Sequence, residues 1–307
     1  MRGAAVIALF GPTGVGKTEV AIALADRLRA LGERPVAISA DALQVYDGLQ
    51  TLTGAATSRQ RARLEHRLIG VVPVHETFSA GRFARLAHTE IDQALRDARR
   101  PIVVGGTGLY LRAALTTLSL RPPPDPRVRT RWLQRLNELG PELLHAELAR
   151  DAPWAAEAIA RTDRQRIVRA LELEEMGQLR PRDQASELWT ATTRHPTLLA
   201  GLVMDRVTLY ERIDARVDAM VAAGAGDEVR AAATDASVTA RRALGFEQLL
   251  VGDVEQFKRR TRQYARRQLT WMRKLPEIDV IDVTGREPDD VAAELLALWL
   301  GAGAPAG

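Results

Sequence analysis

The sequence predicts an α/β fold: a P-loop NTPase-like parallel sheet flanked by helices, interrupted by an all-helical insertion domain. Three observations predict it. Apolar runs at Ala4 to Phe10, Pro35 to Ser39, Pro101 to Val104, Leu198 to Asp205 and Val280 to Val283 are separated by stretches whose apolar residues recur at helical spacing. Two of these runs end in glycine-rich loops, Gly11 to Thr18 and Gly105 to Gly108. Between Pro122 and Gly177 the strand-like runs vanish and only helix starts remain.

The first loop, Gly11-Pro12-Thr13-Gly14-Val15-Gly16-Lys17-Thr18, fits the phosphate-binding spacing G-x-x-x-x-G-K-[ST], with an apolar run before it and a helical pattern (Val20, Ala21, Leu24, Ala25, Leu28) after it. Glycines let successive backbone N–H groups turn toward one anion. The helix dipole adds positive potential, a lysine reaches terminal phosphate oxygens, and a threonine hydroxyl can hold Mg²⁺. Only three of the 43 Lys+Arg residues are lysines (Lys17, Lys258, Lys274), so background usage does not supply this one.

The next strand, Pro35 to Ser39, delivers Asp41, Ala42, Leu43, Gln44 and Tyr46 at its carboxyl end. In an open parallel sheet the strand ends that carry ligand groups share one edge, so Asp41 is expected to face the phosphate loop, although an aspartate there also serves as a helix cap. Gly48 to Pro73 reads as a long loop with little regular structure, containing one apolar run, Leu68 to Pro73. Ser79 caps a helix to about Arg99, and the following strand ends in Gly105-Gly106-Thr107-Gly108, with Thr107 a candidate ligand contact. Helix starts in the insertion are expected at Asp125, Gly140-Pro141, Asp151 and Thr162-Asp163. The division is 1–120 with 198–307 for the α/β core and 121–197 for the insertion. Asp205 is expected to cap the helix that carries Leu209, Ile213, Val217 and Met220, and a last helix runs from Pro288 to Leu300 before a small-residue tail expected to be disordered.

Bulk composition describes a globular chain, 46% hydrophobic and 27% charged. No apolar run approaches the roughly 18 residues a membrane span needs. The start at Met1-Arg2-Gly3 does not read as a cleavable signal, and zero cysteines suit the cytoplasm, where this chain is expected to work as a monomer. The net charge of +4 is unevenly spread: Lys258 to Lys274 contains eight basic residues and no acidic one, which leaves −4 elsewhere. Tyr264, Leu269 and Trp271 interleave with those arginines, the pattern of a nucleic-acid groove more than of a solvated helix face.

Taken in order, Gly11 to Thr18, Ser39-Ala40-Asp41-Ala42-Leu43-Gln44-Val45-Tyr46, His66-Arg67-Leu68-Ile69, Gly105 to Leu111, Asp163 to Glu172, Ala243-Leu244-Gly245-Phe246 and Arg266 to Arg273 resemble the tRNA dimethylallyltransferases, also called tRNA isopentenyltransferases. The resemblance runs nearly end to end. It implies transfer of a dimethylallyl group from dimethylallyl diphosphate to N6 of the adenosine 3′ of the anticodon, so that the phosphate loop holds a leaving diphosphate. It further implies Asp41 as general base, Thr18 as a Mg²⁺ ligand, and Lys17 with Arg242 screening the diphosphate. The anticodon stem-loop would be touched by Asp41, Ala42, Leu43, Gln44, Thr107, Arg129, Gln165, Arg166, Ile167, Val168, Arg169, Arg242, Gly245, Arg266, Arg267, Gln268, Trp271 and Arg273.

Three blocks depart from the family's pattern. Ala42 stands where a serine commonly follows the aspartate, Gly54 to Ser58 replaces a loop often written G-T-A-K-P, and Gly245-Phe246-Glu247-Gln248 replaces G-Y-K-E. Other classes share the phosphate loop: a small-molecule kinase, which leaves the basic helix unexplained, and an enzyme that prenylates free adenine nucleotides, which has less need of one. An RNA-binding P-loop ATPase would want an apolar strand ending in acidic residues, which is not evident here.

Overall fold

The computed structural model describes residues 4–118, 125–181 and 187–301. The chain forms two compact units, 1–119 with 188–307 and 120–187. The stretch 188–197, which the sequence groups with the insertion, falls in the sheet unit.

The sheet unit is built on six parallel strands: β1 (Val6–Phe10), β2 (Pro35–Ser39), β3 (His66–Arg67), β4 (Arg100–Gly105), β5 (Thr197–Val203) and β6 (Asp279–Asp282), in spatial order β3-β2-β4-β1-β5-β6. Every residue of β1 is buried, and its side chains alternate between two cores. Val6, Ala8 and Phe10 enter one, with Phe83, Leu111 and Phe257; Ile7 and Leu9 enter the other, with Leu24, Leu28 and Leu295. A strand buried on both faces must read as a continuous apolar run, which is why β1 is legible without alternation.

The second core is covered by α1 (Lys17–Ala30), α8 (Arg206–Ala222) and α12 (Pro288–Gly301), the first by α3 (Ala80–Arg96), α4 (Gly108–Leu115), α9 (Ala225–Ala232), α10 (Phe246–Leu250) and α11 (Val254–Met272). The expected caps form: Ser79 accepts from the Arg82 N–H, and Asp205 accepts from those of Val207 and Thr208. The Gly48 to Pro73 region has more order than its composition suggests. A capping box between Thr57 and Gln60 starts α2 (Ser58–Arg63), and strand pairing falls on His66–Arg67. The apolar run itself contributes one bridge, Tyr46 to Val72, because Leu68 and Gly70 turn at φ 61° and 62° and break any longer ladder.

The helical unit contains α5 (Pro126–Asp151), α6 (Pro153–Glu157) and α7 (Arg164–Glu175), with Asp125 and Asp163 as caps. Gly140, at φ 80° and ψ 168°, kinks α5 before Pro141, where the sequence places a new helix start. Trp132, Leu136, Leu144, Leu148, Ile167, Val168 and Leu171 form its core. The fully buried Glu172 accepts from Arg129 at 2.9 Å and Arg169 at 3.0 Å. The Pro122 to Pro124 boundary and the tail beyond Gly301 lie outside the described residues.

Candidate active site

Parallel topology brings the carboxyl ends of β1, β2 and β4 to one edge, and with them the loop Gly11 to Thr18, Asp41, and Gly106-Thr107. The strand ends are crowded there. A Cβ on Gly105 would lie 2.4 Å from the Ala40 carbonyl oxygen, and one on Gly106 would meet the Gly11 carbonyl at 2.9 Å. In the phosphate loop Gly14 and Gly16 take φ 85° and 101°, and Gly16 precedes α1 with no side chain capping the helix. The N–H groups of the first turn therefore stay available to an anion. Lys17 folds back over the loop, its Nζ donating to the carbonyls of Gly11 at 2.8 Å and Pro12 at 2.9 Å.

Asp41 accepts the Leu43 N–H at 2.9 Å in a tight turn and heads no helix. Burial raises its pKa above the ordinary carboxylate value, against the opposing pull of the Leu43 N–H, Lys17 and Arg216. Burial likewise lowers the Lys17 pKa to about 7, helped by repulsion from Arg216 and opposed by Asp41. The side chains of Lys17 and Asp41 are both partly buried in the free protein. Gln44 is held by Ser39, whose hydroxyl donates to its side-chain oxygen at 2.8 Å.

Helix α11 closes the arrangement. Its Gln268 is buried, accepting the Thr13 N–H at 2.9 Å and donating to the Gly106 carbonyl at 2.8 Å, so one carboxamide ties the phosphate loop to the β4 loop. One turn earlier, the Tyr264 hydroxyl meets Thr107 Oγ1 at 2.9 Å. Trp271 lies against Gly108, where a Cβ would sit 2.1 Å from its ring, and packs on Trp189 with centroids 4.7 Å apart. The exposed face of α11 carries Arg259, Arg260, Arg266 and Arg267, with Arg273 just beyond its end. Lys258 and Arg262 are instead neutralised by Asp218 and Asp214 of α8, at 2.8 and 2.5 Å.

The chain as a whole is similar to known proteins. The family model described as IPP transferase matches residues 44–275. The tRNA dimethylallyltransferase of Thermobifida fusca is 41% identical over 290 residues, covering 89% of this chain and 88% of that protein. This chain belongs to the IPP transferase family. Among solved structures, the tRNA isopentenylpyrophosphate transferase of Bacillus halodurans is similar with a TM-score of 0.68 at 30% identity, covering 96% of each chain. A eukaryotic dimethylallyltransferase described as acting on tRNA gives a TM-score of 0.72 at 25% identity, covering 95% of this chain and 77% of that one.

Within this member of the family, several residues that the sequence nominates for RNA have other work. Gln268 spends both ends of its carboxamide on protein backbone. Ile167 and Val168 are buried in the helical unit's own core, while Gln165 and Arg166 are exposed on the same helix. Arg129 and Arg169 are paired to Glu172. Gly245 turns at φ 91° with the Phe257 ring 2.6 Å from where a Cβ would be, so its place is a packing requirement. Ala42 and Leu43 are partly buried and pack against the first core. Arg242 is exposed on a 3₁₀ turn, Ala240–Arg242, and the cation that acts on both Lys17 and Asp41 is Arg216 of α8. Sequence reasoning missed Arg216 because an arginine on an amphipathic helix carries no signal of what it faces.

The donor set fits Mg²⁺. Among the described residues no three His, Cys, Asp or Glu side chains gather to hold a metal. Mg²⁺ needs no such cage, since it keeps several waters and binds through one or two protein oxygens plus substrate phosphates. Thr18, in the first turn of α1, is the protein oxygen the cradle offers.

Proposed function

We propose that this chain transfers a dimethylallyl group from dimethylallyl diphosphate to N6 of the adenosine immediately 3′ of the anticodon in tRNA, releasing diphosphate. The observation that carries the reading is the shared edge: a phosphate cradle with Lys17, and a carboxylate, Asp41, whose charge acts on that lysine. A phosphate loop alone serves many reactions. A base held this near the leaving-group site fits a displacement in which a weak nucleophile must lose a proton.

An adenine amine is weakly nucleophilic because its lone pair is delocalised into the ring. As the bond from N6 to the allylic carbon forms, the bond from that carbon to the diphosphate oxygen breaks, and the N6 proton passes to Asp41, a contribution of typically about 10²–10⁴-fold. The raised Asp41 pKa makes it a stronger base than a surface carboxylate. Charge accumulates on the departing diphosphate, where the loop N–H groups and Lys17 stabilise it more than they stabilise the ground state. Mg²⁺, held by Thr18 and the diphosphate, would supply further neutralisation of that charge. Thr107 and Gln44, at the same edge, are the groups we assign to the adenine. Arg266, Arg267 and Arg273, with Gln165 and Arg166 of the helical unit, are the exposed groups we assign to tRNA. An anticodon loop offers a base already outside a duplex, which keeps the cost of unstacking it low.

Incubation with dimethylallyl diphosphate and bulk tRNA, followed by mass analysis of the nucleosides, tests the reading, with AMP as competing acceptor and ATP as alternative donor. The expected product is N6-dimethylallyladenosine in tRNA. Prenylation of AMP alone, or phosphoryl transfer from ATP, would sink it.

A further inference from the structure

Between Asp41 and α2 the chain makes a turn at 49–55 that is held from two sides. Within it the Thr53 N–H donates to the Leu49 carbonyl at 3.0 Å and the Ala55 N–H to the Gln50 carbonyl at 2.9 Å. The leading N–H groups of such a turn find no partner inside it. Here they reach another element: the carboxylate of Glu228, in the first turn of α9, takes the Thr51 N–H on one oxygen and the Leu52 N–H on the other, each at 2.9 Å. Glu228 is partly buried and forms no ion pair among the described residues, since the arginine of its own helix, Arg230, pairs with Asp227. Leu49 and Leu52 seat the turn in the first core.

The carbonyl side of the turn meets α8. Gly54, at φ 57°, accepts from Arg216 at 2.8 Å; among the described residues this is the hydrogen bond that Arg216 makes, and no carboxylate pairs with it. An exposed guanidinium on a long flexible stem is located by such a contact, because its rotamers are otherwise open. The fit is close. A Cβ on Gly54 would overlap that guanidinium and lie 2.5 Å from the Met220 methyl. The Gln44 amide nitrogen also lies 3.5 Å from both the Thr53 and the Gly54 carbonyls. Helix α8 itself rests on the phosphate loop, where a Cβ on Gly14 would be 2.9 Å from the Ile213 side chain, and the Arg216 charge acts on Asp41.

We propose that Glu228 is a positioning residue for the transfer centre: by clamping the turn at 51–54 it holds the Gly54 carbonyl where Arg216 meets it, and so keeps that guanidinium beside Asp41. This role rests on the function proposed above. Glu228 acts through the turn and not on substrate, and its effect is read at Asp41. The Arg216 charge favours the ionised carboxylate, so a guanidinium that drifts away leaves the Asp41 pKa higher still. The other titratable groups acting with Asp41 are Lys17 of α1, Tyr110 of α4 and Tyr264 of α11, and Arg212 repels Arg216 from its own helix.

The test compares wild-type protein with Glu228→Ala, Glu228→Gln, Gly54→Ala and Asp227→Ala. Three quantities are measured: the Asp41 pKa in the free protein by carboxyl carbon-13 NMR, its signal assigned by loss in Asp41→Asn; the single-turnover rate with dimethylallyl diphosphate and bulk tRNA; and tRNA affinity. Glu228→Ala and Gly54→Ala should both raise the Asp41 pKa and slow transfer by about 10–10²-fold, the scale of a small misplacement near the chemistry. Affinity for tRNA should stay within twofold. Glu228→Gln keeps one acceptor oxygen and should fall between Glu228→Ala and wild type, whereas Asp227→Ala removes an acid that pairs with Arg230 and should match wild type. Gly54→Ala displaces Arg216 from the other side of the turn, so it carries the test if the Glu228 variants do not fold. A wild-type Asp41 pKa in both Glu228→Ala and Gly54→Ala overturns the assignment. So does a lower Tm with the Asp41 pKa and the transfer rate unchanged, which would make Glu228 a structural cap alone. If the wild-type protein does not transfer, the functional reading fails as a separate result, and the NMR titration still decides what Glu228 holds in place.

Discussion

The side-chain oxygen of Gln268 accepts the backbone N–H of Thr13 at 2.9 Å, so helix α11 reaches into the phosphate loop through a single buried carboxamide. The other end of that carboxamide donates to Gly106. The helix that presents arginines to solvent is thus the helix that sets the loop's shape.

Replacing Gln268 by leucine keeps the volume and strands both partners. An unsatisfied buried polar group costs about 1–3 kcal/mol. Thermal unfolding should show a lower Tm for the variant, and added diphosphate should recover less stability than in the wild type. A Tm equal to wild type would mean that the Thr13 N–H is as well satisfied by water.

Asp41→Asn keeps the hydrogen bond from Leu43 and removes the base. Transfer should slow by about 10²–10⁴-fold while tRNA binding persists. In the wild type the rate should be full above the Asp41 pKa and fall about tenfold per pH unit below it. Because that pKa is raised, the acid limb should lie above the ordinary carboxylate range. Single-turnover rates across pH read this directly; activity within a few-fold of wild type in Asp41→Asn would place the base elsewhere.

Lys17, with a pKa near 7 in the free protein, is mostly neutral at pH 8. A bound diphosphate favours the ammonium form and lifts that pKa, so binding at pH 8 should take up close to one proton, and little at pH 6, where Lys17 is already charged. Calorimetric titration with dimethylallyl diphosphate in two buffers of different ionisation enthalpy counts the proton. Lys17→Met should abolish the uptake; an unchanged count in that variant assigns the proton to another group.

Neutralising Arg266, Arg267 and Arg273 should weaken tRNA binding and flatten its salt dependence by about 0.7–0.9 in log–log slope for each phosphate no longer neutralised. Arg262→Ala is the internal control: its charge is already spent on Asp214, so the slope should not move. Filter binding between low and moderate salt separates the two variants. An unchanged slope in the triple variant would make the face a solvated one.

The sequence by itself determined the features whose causes are local. A strand buried on both faces must be continuously apolar, a phosphate loop must carry glycines where φ is positive, and a cap must stand just before the turn it satisfies. Thus β1, the Gly11 to Thr18 loop and the caps at Ser79, Asp125, Asp163 and Asp205 are legible from the chain alone. Strand β3 was not, because its two residues are polar and the apolar run beside it is broken by Leu68 at positive φ. Only the tertiary structure decided which long-range partners each charge and amide would find. Gln268 meets a loop 255 residues away, Arg262 meets Asp214 across a helix interface, and Arg216 arrives beside Lys17 because β5 lies next to β1 and delivers α8 to the loop. Electrostatics and hydrogen bonds act over a few ångströms of space, and the distance along the chain between Lys17 and Arg216 says nothing about that space until the strand order is set.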